Sequence, residues 1–381
     1  MRSMPSSPGA VIEHRFNGRP FTVGIEEELM LIDPRTLDLA QAIEPILADP
    51  AATRGPGAVK PELMQSVLEI ATDPCETLAE AAAQVADLRG RVSEAAGRQG
   101  LVLGAAGTHP TADWRRQEIT DRDRYRDLIE QLSWIAWQEL IFGTHVHIGI
   151  GDADQAVYVA DGIRRHLPVL LAASVNSPLW VGEETGMMST RTPVFRQFPR
   201  VGVPPHYGDW RGFAERVGLL MRAGSIPDYT YLWWDVRPHP NLGTVEVRAF
   251  DQQTGVEDTV ALAALAALAV CLAHRYADGF ERGEPLEHTP SELIDDCKVR
   301  AALDGLEADL VVPGSERRQP AATQLRELVD SLARDAATLG CEAELARAGA
   351  IPEAGTGAAR QLEVLSREGL DGVVRAAILG G

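Results

Sequence analysis

The sequence predicts an α+β fold built on an antiparallel sheet. Two observations carry this. Segments of strand character come in pairs across short turns, as where "TYLWWDVRPHP" is followed by "GTVEVRAFD". The helical segments between strands lack the regular alternation that a parallel βαβ sheet imposes.

The elements follow in chain order. Residues 1–19 read as a loose leader, and residues 20–381 as one large domain. The start, "MRSMPSSPGAVIEHR", has no apolar run of the signal-peptide kind. Residues 21–33, "FTVGIEEELMLID", read as a strand ended by the turn residues "DPRT". Residues 50–61 are rich in Gly and Pro and read as a loop. Asp73-Pro74 opens a helical pattern that stops at Gly100. "LVLGAAGTHP" reads as a buried strand and turn, and residues 121–141 as amphipathic helix. "FGTHVHIGIG", Phe142 to Gly151, is a strand with glycines at each end, and 154–177 reads as helix. Residues 178–212 have no period and many Pro, Gly and Arg, so they read as a long functional loop region. The strand pair near 230–251 comes next. "TVALAALAALAVCLA", Thr259 to Ala273, is shorter than the ~20 residues a bilayer span needs. It reads as a buried core helix with Asp258 as its cap. Residues 290–381 are mostly helical, with a break at 349–359.

Composition narrows the partners. The chain has 381 residues and a formal net charge of −19. That charge repels nucleic acid and anionic lipid, so neither a nucleic-acid nor a membrane partner is expected. Lys60 and Lys298 are the lysines, and neither has the Gly-Lys-Ser/Thr context of a P-loop. Any nucleotide phosphates must therefore be met by arginines and metal ions. Cys75, Cys271, Cys297 and Cys341 form no CxxC pair, which fits reduced thiols in a cytoplasmic protein.

Chemistry concentrates in four stretches. In "GIEEELML" a strand's period of two puts Glu26 and Glu28 on one face and Glu27 on the other. Val23, Ile25, Leu29 and Leu31 share the face of Glu27, while Met30 and Ile32 share that of Glu26 and Glu28. An unpaired carboxylate in such surroundings is costly, so Glu27 is expected to pair with an arginine. In "GTHVHIGI" His145 and His147 share a face, as ligands or substrate contacts would. In "GTVEVRAFD" Glu246 and Arg248 share a face opposite Val245, Val247 and Ala249. That pair reads either as mutual neutralisation or as a metal ligand beside an anion-binding arginine. In "KPELMQSVLEIAT" Glu62 and Glu69 are seven apart, sharing a helix face or converging across a kink between strands. Many oxygen ligands and few nitrogens suit Mg²⁺ or Mn²⁺. Carboxylate-rich sites of this kind typically serve nucleotide phosphoryl transfer.

These motifs carry a resemblance. With "GTHP", "NSPLWVGEETGMMSTRTPVFRQFPRVGVPP", "LWWDVRPHPNLGTVEVRAFD" and "GAARQ", they make the chain similar to the glutamate–cysteine ligase type 2 family, the YbdK-like carboxylate–amine ligases, over roughly residues 20–360. The resemblance implies a glutamine synthetase-like fold, a curved antiparallel sheet forming a funnel with helices on its outer side. It implies ATP-dependent amide formation, in which a carboxylate such as that of glutamate forms an acyl phosphate that cysteine or another small amine attacks. It implies Mg²⁺ held by Glu26, Glu28, Glu62, Glu69, His145 and Glu246. Arg248, Arg237, Arg191 and His147 are then the expected catalytic residues, Arg248 and Arg300 the expected ATP contacts, and a homodimer the expected assembly. The chain departs from the family at 297–307, "CKVRAALDGLE", where Arg300 is kept but Cys297, Val299, Leu303 and Asp304 replace the usual types. Amine specificity, or activity itself, turns on whether this run touches substrate. Two other readings make different predictions. A metal-dependent amide hydrolase using His145 and His147 turns over without ATP, and a binding homologue holds nucleotide or amino acid with little turnover.

Overall fold

Seven strands form one sheet in the computed structural model, which describes residues 12–254 and 259–380. They are β1 Val23–Ile32, β2 Ala58–Pro61, β3 Val67–Ala71, β4 Val102–Gly104, β5 Gly143–Gly149, β6 Val236–His239 and β7 Thr244–Asp251. Their order is β6–β7–β5–β1–β3–β2, with β4 beside the end of β1 and every neighbouring pair antiparallel. The ten residues of β1 pair with β5 over their first half, with β4 at their end, and with β3 on the opposite edge. This long strand holds the sheet together.

One face of the sheet is apolar and covered by helices. Val23, Ile25, Val146, Ile148, Val245 and Val247 are buried in one cluster with residues of α3 Ala153–Ile163, α4 Leu167–Ser174 and α5 Thr259–Glu281. Each such side chain contributes about 1.5–3 kcal/mol by leaving water. α1 Leu78–Arg98 covers the β1 end of this face, and Thr77 caps it by accepting the Glu80 N–H at 3.2 Å. Long and apolar enough to cross a bilayer, α5 instead has 78% of its apolar window from Leu262 onward buried within the protein. Its expected cap, Asp258, lies outside the described residues. The opposite face is mixed. Met30, Ile32, Met64 and Val67 form part of a second apolar cluster at one end, and the charged residues occupy the other.

Several elements differ from the sequence expectation, each for a local reason. Residues 50–61 hold a helical turn Pro50–Thr53, capped by Asp49, and the edge strand β2. The helix expected over 154–177 is broken by the 3₁₀ turn Arg164–His166, after which Pro168 lies in the first turn of α4. The helical stretch 121–141 splits into α2 Asp123–Leu132 and a turn Trp134–Trp137 at Ser133, whose φ is +47°. The loop region 178–212 contains a short helix, Arg191–Phe195. The C-terminal break narrows to Gly355 and Thr356, between a helix Glu342–Ala354 and a helix Gly357–Ala377 capped by Thr356. Of the expected leader, residues 1–11 lie outside the described residues, whereas Phe16 is buried in the main core and the Arg15 N–H reaches the Pro240 carbonyl at 2.9 Å.

Candidate active site

Register alone assembles the site. On the β1/β5 pair Glu26 lies opposite His145, and Gly24 lies opposite His147. On β1/β3 Glu28 lies opposite Glu69, which on β3/β2 lies opposite Lys60. On β5/β7 His147 lies opposite Glu246, which on β7/β6 lies opposite Arg237. All of these point to the face away from the helices. Glu26, Glu28, Lys60, Glu69, His145 and Arg237 line a cavity of about 310 Å³ with Glu62, Arg124, Tyr125, Glu139, Trp233 and Arg248 among its walls. Between Val247 and Phe250 the register shifts, so that Arg248 and Ala249 oppose the single His145. Such a bulge re-aims a side chain, and Arg248 comes within 3.5 Å of His145 Nδ1 while its N–H donates to the Asp235 carbonyl at 2.7 Å.

Glu26 Oε2 lies 3.2 Å from His145 Nδ1 and 3.5 Å from His147 Nε2. Lys60 Nζ donates to Glu69 at 2.7 Å and lies 3.7 Å from Glu26. Glu28 accepts the Gly143 N–H at 2.5 Å. Glu246 takes both guanidinium groups, Arg237 at 2.8 Å and Arg248. The charges sort accordingly. Burial opposes ionisation of Glu26, yet the charge of His147 and hydrogen bonds from both histidines hold its carboxyl well below the usual range. Arg237 and Arg248 do the same for Glu246 against its burial. Burial, then repulsion from Glu69 and Glu28, pushes Glu62 well above the usual range. Burial and Glu26 push Glu69 up to about 7 despite Lys60. Burial and Glu28 push Glu139 up to about 8. Burial and Arg248 lower His145, whereas Glu26 and Glu246 overcome burial to raise His147.

Glu62, Glu69 and Glu139 resist ionisation beside one another, and a bound cation would relieve that repulsion. Ligand atoms of Glu26, His147 and Glu246 lie within 4.8 Å of one another. Among the described residues the buried Nε2 of His145 has no hydrogen-bond partner, and that of His147 has only the long 3.5 Å approach of Glu26. Oxygen-rich donors with one or two imidazoles fit a hard divalent cation.

The sequence-predicted residues divide as follows. Glu26, Glu28, Glu62, Glu69, His145, Arg237 and Arg248 line the cavity, and His147 and Glu246 adjoin it on the same face. Glu62 and Glu69 converge because β3 carries Glu69 and the end of β2 places Glu62 beside it, not because they share a helix. Arg191 begins its short helix 3.3 Å from the Arg248 carbonyl and lines a side pocket of about 30 Å³ with Glu28, Glu139 and Arg248. Arg300 is not brought in. It sits on the outer surface of α6 Ser291–Asp304, paired with Asp296 at 2.9 Å. The divergent run reaches the site indirectly, through the buried ion pair of Lys298 with Asp235. Lys60, Arg124, Tyr125 and Glu139 escaped the sequence reading. For Lys60 the signal was its place two residues before Glu62, whereas Glu139 was hidden in an apparently amphipathic helix.

The sequence profile described as glutamate–cysteine ligase family 2 matches residues 22–376. A relative from Rubrobacter xylanophilus, provisionally named glutamate–cysteine ligase 2-3, is 44% identical over 300 residues, 78% of this chain and 80% of its own. One from Solibacter usitatus, provisionally named glutamate–cysteine ligase 2, is 39% identical over 348 residues, 91% of this chain and 90% of its own. The solved structure of glutamate–cysteine ligase from Francisella tularensis in complex with AMP aligns with a TM-score of 0.71 over 95% of this chain and 88% of its own, at 13% identity. That last likeness is one of fold.

Proposed function

The chain belongs to glutamate–cysteine ligase family 2 and is an ATP-dependent carboxylate–amine ligase, and we propose that it joins glutamate to cysteine or another small amine in the cavity on the open face of its sheet. The observation that carries this reading is the register that gathers five carboxylates, two histidines and two arginines from strands β1, β3, β5, β6, β7 and the end of β2.

In this proposal Glu26, Glu28, Glu62, Glu69, His145 and Glu246 hold Mg²⁺, or Mn²⁺, from the sheet. Bound there, the cations would supply positive charge that offsets the charge developing on phosphoryl transfer. The substrate carboxylate attacks the γ-phosphorus and ADP leaves. Arg248, re-aimed by the bulge and flanked by Glu246, meets the transferring phosphoryl group. Arg237, buried behind Glu246, fixes that carboxylate and with it the row. Arg191 braces Arg248 through its backbone carbonyl and offers a second cationic face to an anionic group. His147, oriented by its 3.0 Å bond to Thr244, either ligates or orients substrate. The amine then attacks the acyl phosphate and phosphate leaves. We further propose that the protein acts in the cytoplasm as a homodimer, which light scattering coupled to size exclusion tests directly.

The reading is tested by ADP release with glutamate and a panel of amines. Amine-dependent release is expected, and its absence across the panel, with turnover that ignores ATP, would favour the hydrolase instead.

A further inference from the structure

Every carboxylate facing the cavity is engaged except one. Glu26 meets both histidines, Glu28 the Gly143 N–H, Glu62 the Leu63 N–H, Glu69 Lys60, and Glu246 two arginines. The Glu139 carboxylate makes no hydrogen bond and no ion pair among the described residues. Its side chain lines both the main cavity and the side pocket, at their junction. The rest of the side-pocket wall mixes Met64, Ile141 and Phe195 with Glu28, Glu62, Arg191 and Arg248. With Glu28 and Glu62 assigned to the metal ions, Glu139 is the carboxylate left in that wall for a cation brought in by substrate.

The ligase reaction requires such a group. At neutral pH an amine arrives as its ammonium form, which has no lone pair to attack with. A carboxylate committed to a metal ion or tied to two guanidinium groups is a poor acceptor for its proton. We propose that Glu139 is the catalytic residue that receives the amine substrate, binding its ammonium group at the junction of the two cavities and taking the proton it must lose. One N–H bond breaks and the proton passes to a Glu139 carboxyl oxygen. The freed nitrogen lone pair forms the C–N bond, the C–O bond to phosphate breaks with its electron pair leaving on phosphate, and the second N–H proton departs with that phosphate as hydrogen phosphate, leaving the amide N–H. This rests on the ligase reading above, and the test separates the two.

Hydroxylamine is uncharged at neutral pH and needs neither the ionic contact nor the prior proton loss. Wild type and Glu139→Gln are supplied with glutamate, Mg²⁺ and ATP, and with either hydroxylamine or L-cysteine. The variant is expected to form hydroxamate within about threefold of wild type, and to lose roughly a hundredfold in kcat/KM for cysteine. Glu139→Asp should recover part of that loss. The proposal is overturned if Glu139→Gln lowers both products equally, as a metal-binding or packing role would, or lowers neither. A wild type that forms no hydroxamate would strike down the ligase reading itself.

Discussion

Glu27 is fully buried on the helix-covered face of β1, one residue from two acids that face the cavity. Its charge is met by Arg89 of α1 in a two-pronged contact at 2.8 and 2.6 Å, and by the Gln252 amide at 2.6 Å. Removing one partner of such a pair strands the other in an apolar surround. Arg89→Met is therefore expected to cost about 3 kcal/mol in urea unfolding, and the same substitution paired with Glu27→Gln to cost less than the two single changes summed. On the open face the sign of the pH dependence follows from Glu69. Its carboxyl rises from 4.5 to about 7 on folding, so over that window the folded state binds more protons than the unfolded one. The contribution of Glu69 to the stability of the metal-free protein should then fall as pH rises from 4.5 to about 7, whereas His109, His145, His166 and His239, all lowered by burial, act in the opposite direction. His147, whose affinity for protons folding raises, acts in the same direction as Glu69. Glu26 and Glu246, both depressed, oppose it only at lower pH, because their contribution is already complete above 4.5. Urea midpoints of wild type and Glu69→Gln in a chelator across that window check the slope, and saturating Mg²⁺ should flatten or reverse it as bound cations displace the protons. A difference in midpoint between wild type and Glu69→Gln that does not change with pH in the chelator would remove Glu69 from this role.

At the scale of the element, the site is a product of strand pairing. Period two makes the sorting of Glu26, Glu27 and Glu28 legible in the sequence, as it does the pairing of His145 with His147 on one face of β5. The need for an arginine against Glu27 was legible too, but not which one, since Arg89 lies 62 residues away on a helix. Sequence cannot say that β5 and β3 flank β1, because those contacts are set by tertiary packing. For the same reason it placed Glu62 and Glu69 no better than "helix or kink", and grouped Arg300 with a cavity that its side chain does not line. The bulge at Arg248 has no local signature such as a glycine. Gly143 marks a different kind of local demand. A Cβ there would collide with the Arg191 guanidinium, which lies across the start of β5. Gly143→Ala is expected to displace Arg191, and with it the support of Arg248, lowering kcat/KM by roughly ten- to a hundredfold while the thermal midpoint shifts little. If the activity is unchanged, Arg191 has no part in the reaction.

The molecule as a whole sets two fields against each other. A net charge of −19 repels ATP at long range, whereas Lys60, Arg124, Arg237 and Arg248 line the cavity that must accept it. The repulsion acts over the whole approach and is screened within a Debye length of about 8 Å at physiological salt. The cavity cations act only at contact, and three of them are already neutralised. Lys60 is spent on Glu69, and Arg237 and Arg248 on Glu246. Long-range repulsion should therefore govern encounter. The association rate of nucleotide in stopped flow is expected to rise severalfold as monovalent salt increases from about 20 to about 150 mM, the reverse of the behaviour of electrostatically steered pairs. Mg²⁺ should produce the same gain at far lower concentration, because it both neutralises the nucleotide and loads the carboxylates. Were the rate to fall with salt instead, the cavity cations would reach beyond the rim, and Arg124, the one among these four for which the described residues show no ion pair, would be the residue to substitute first.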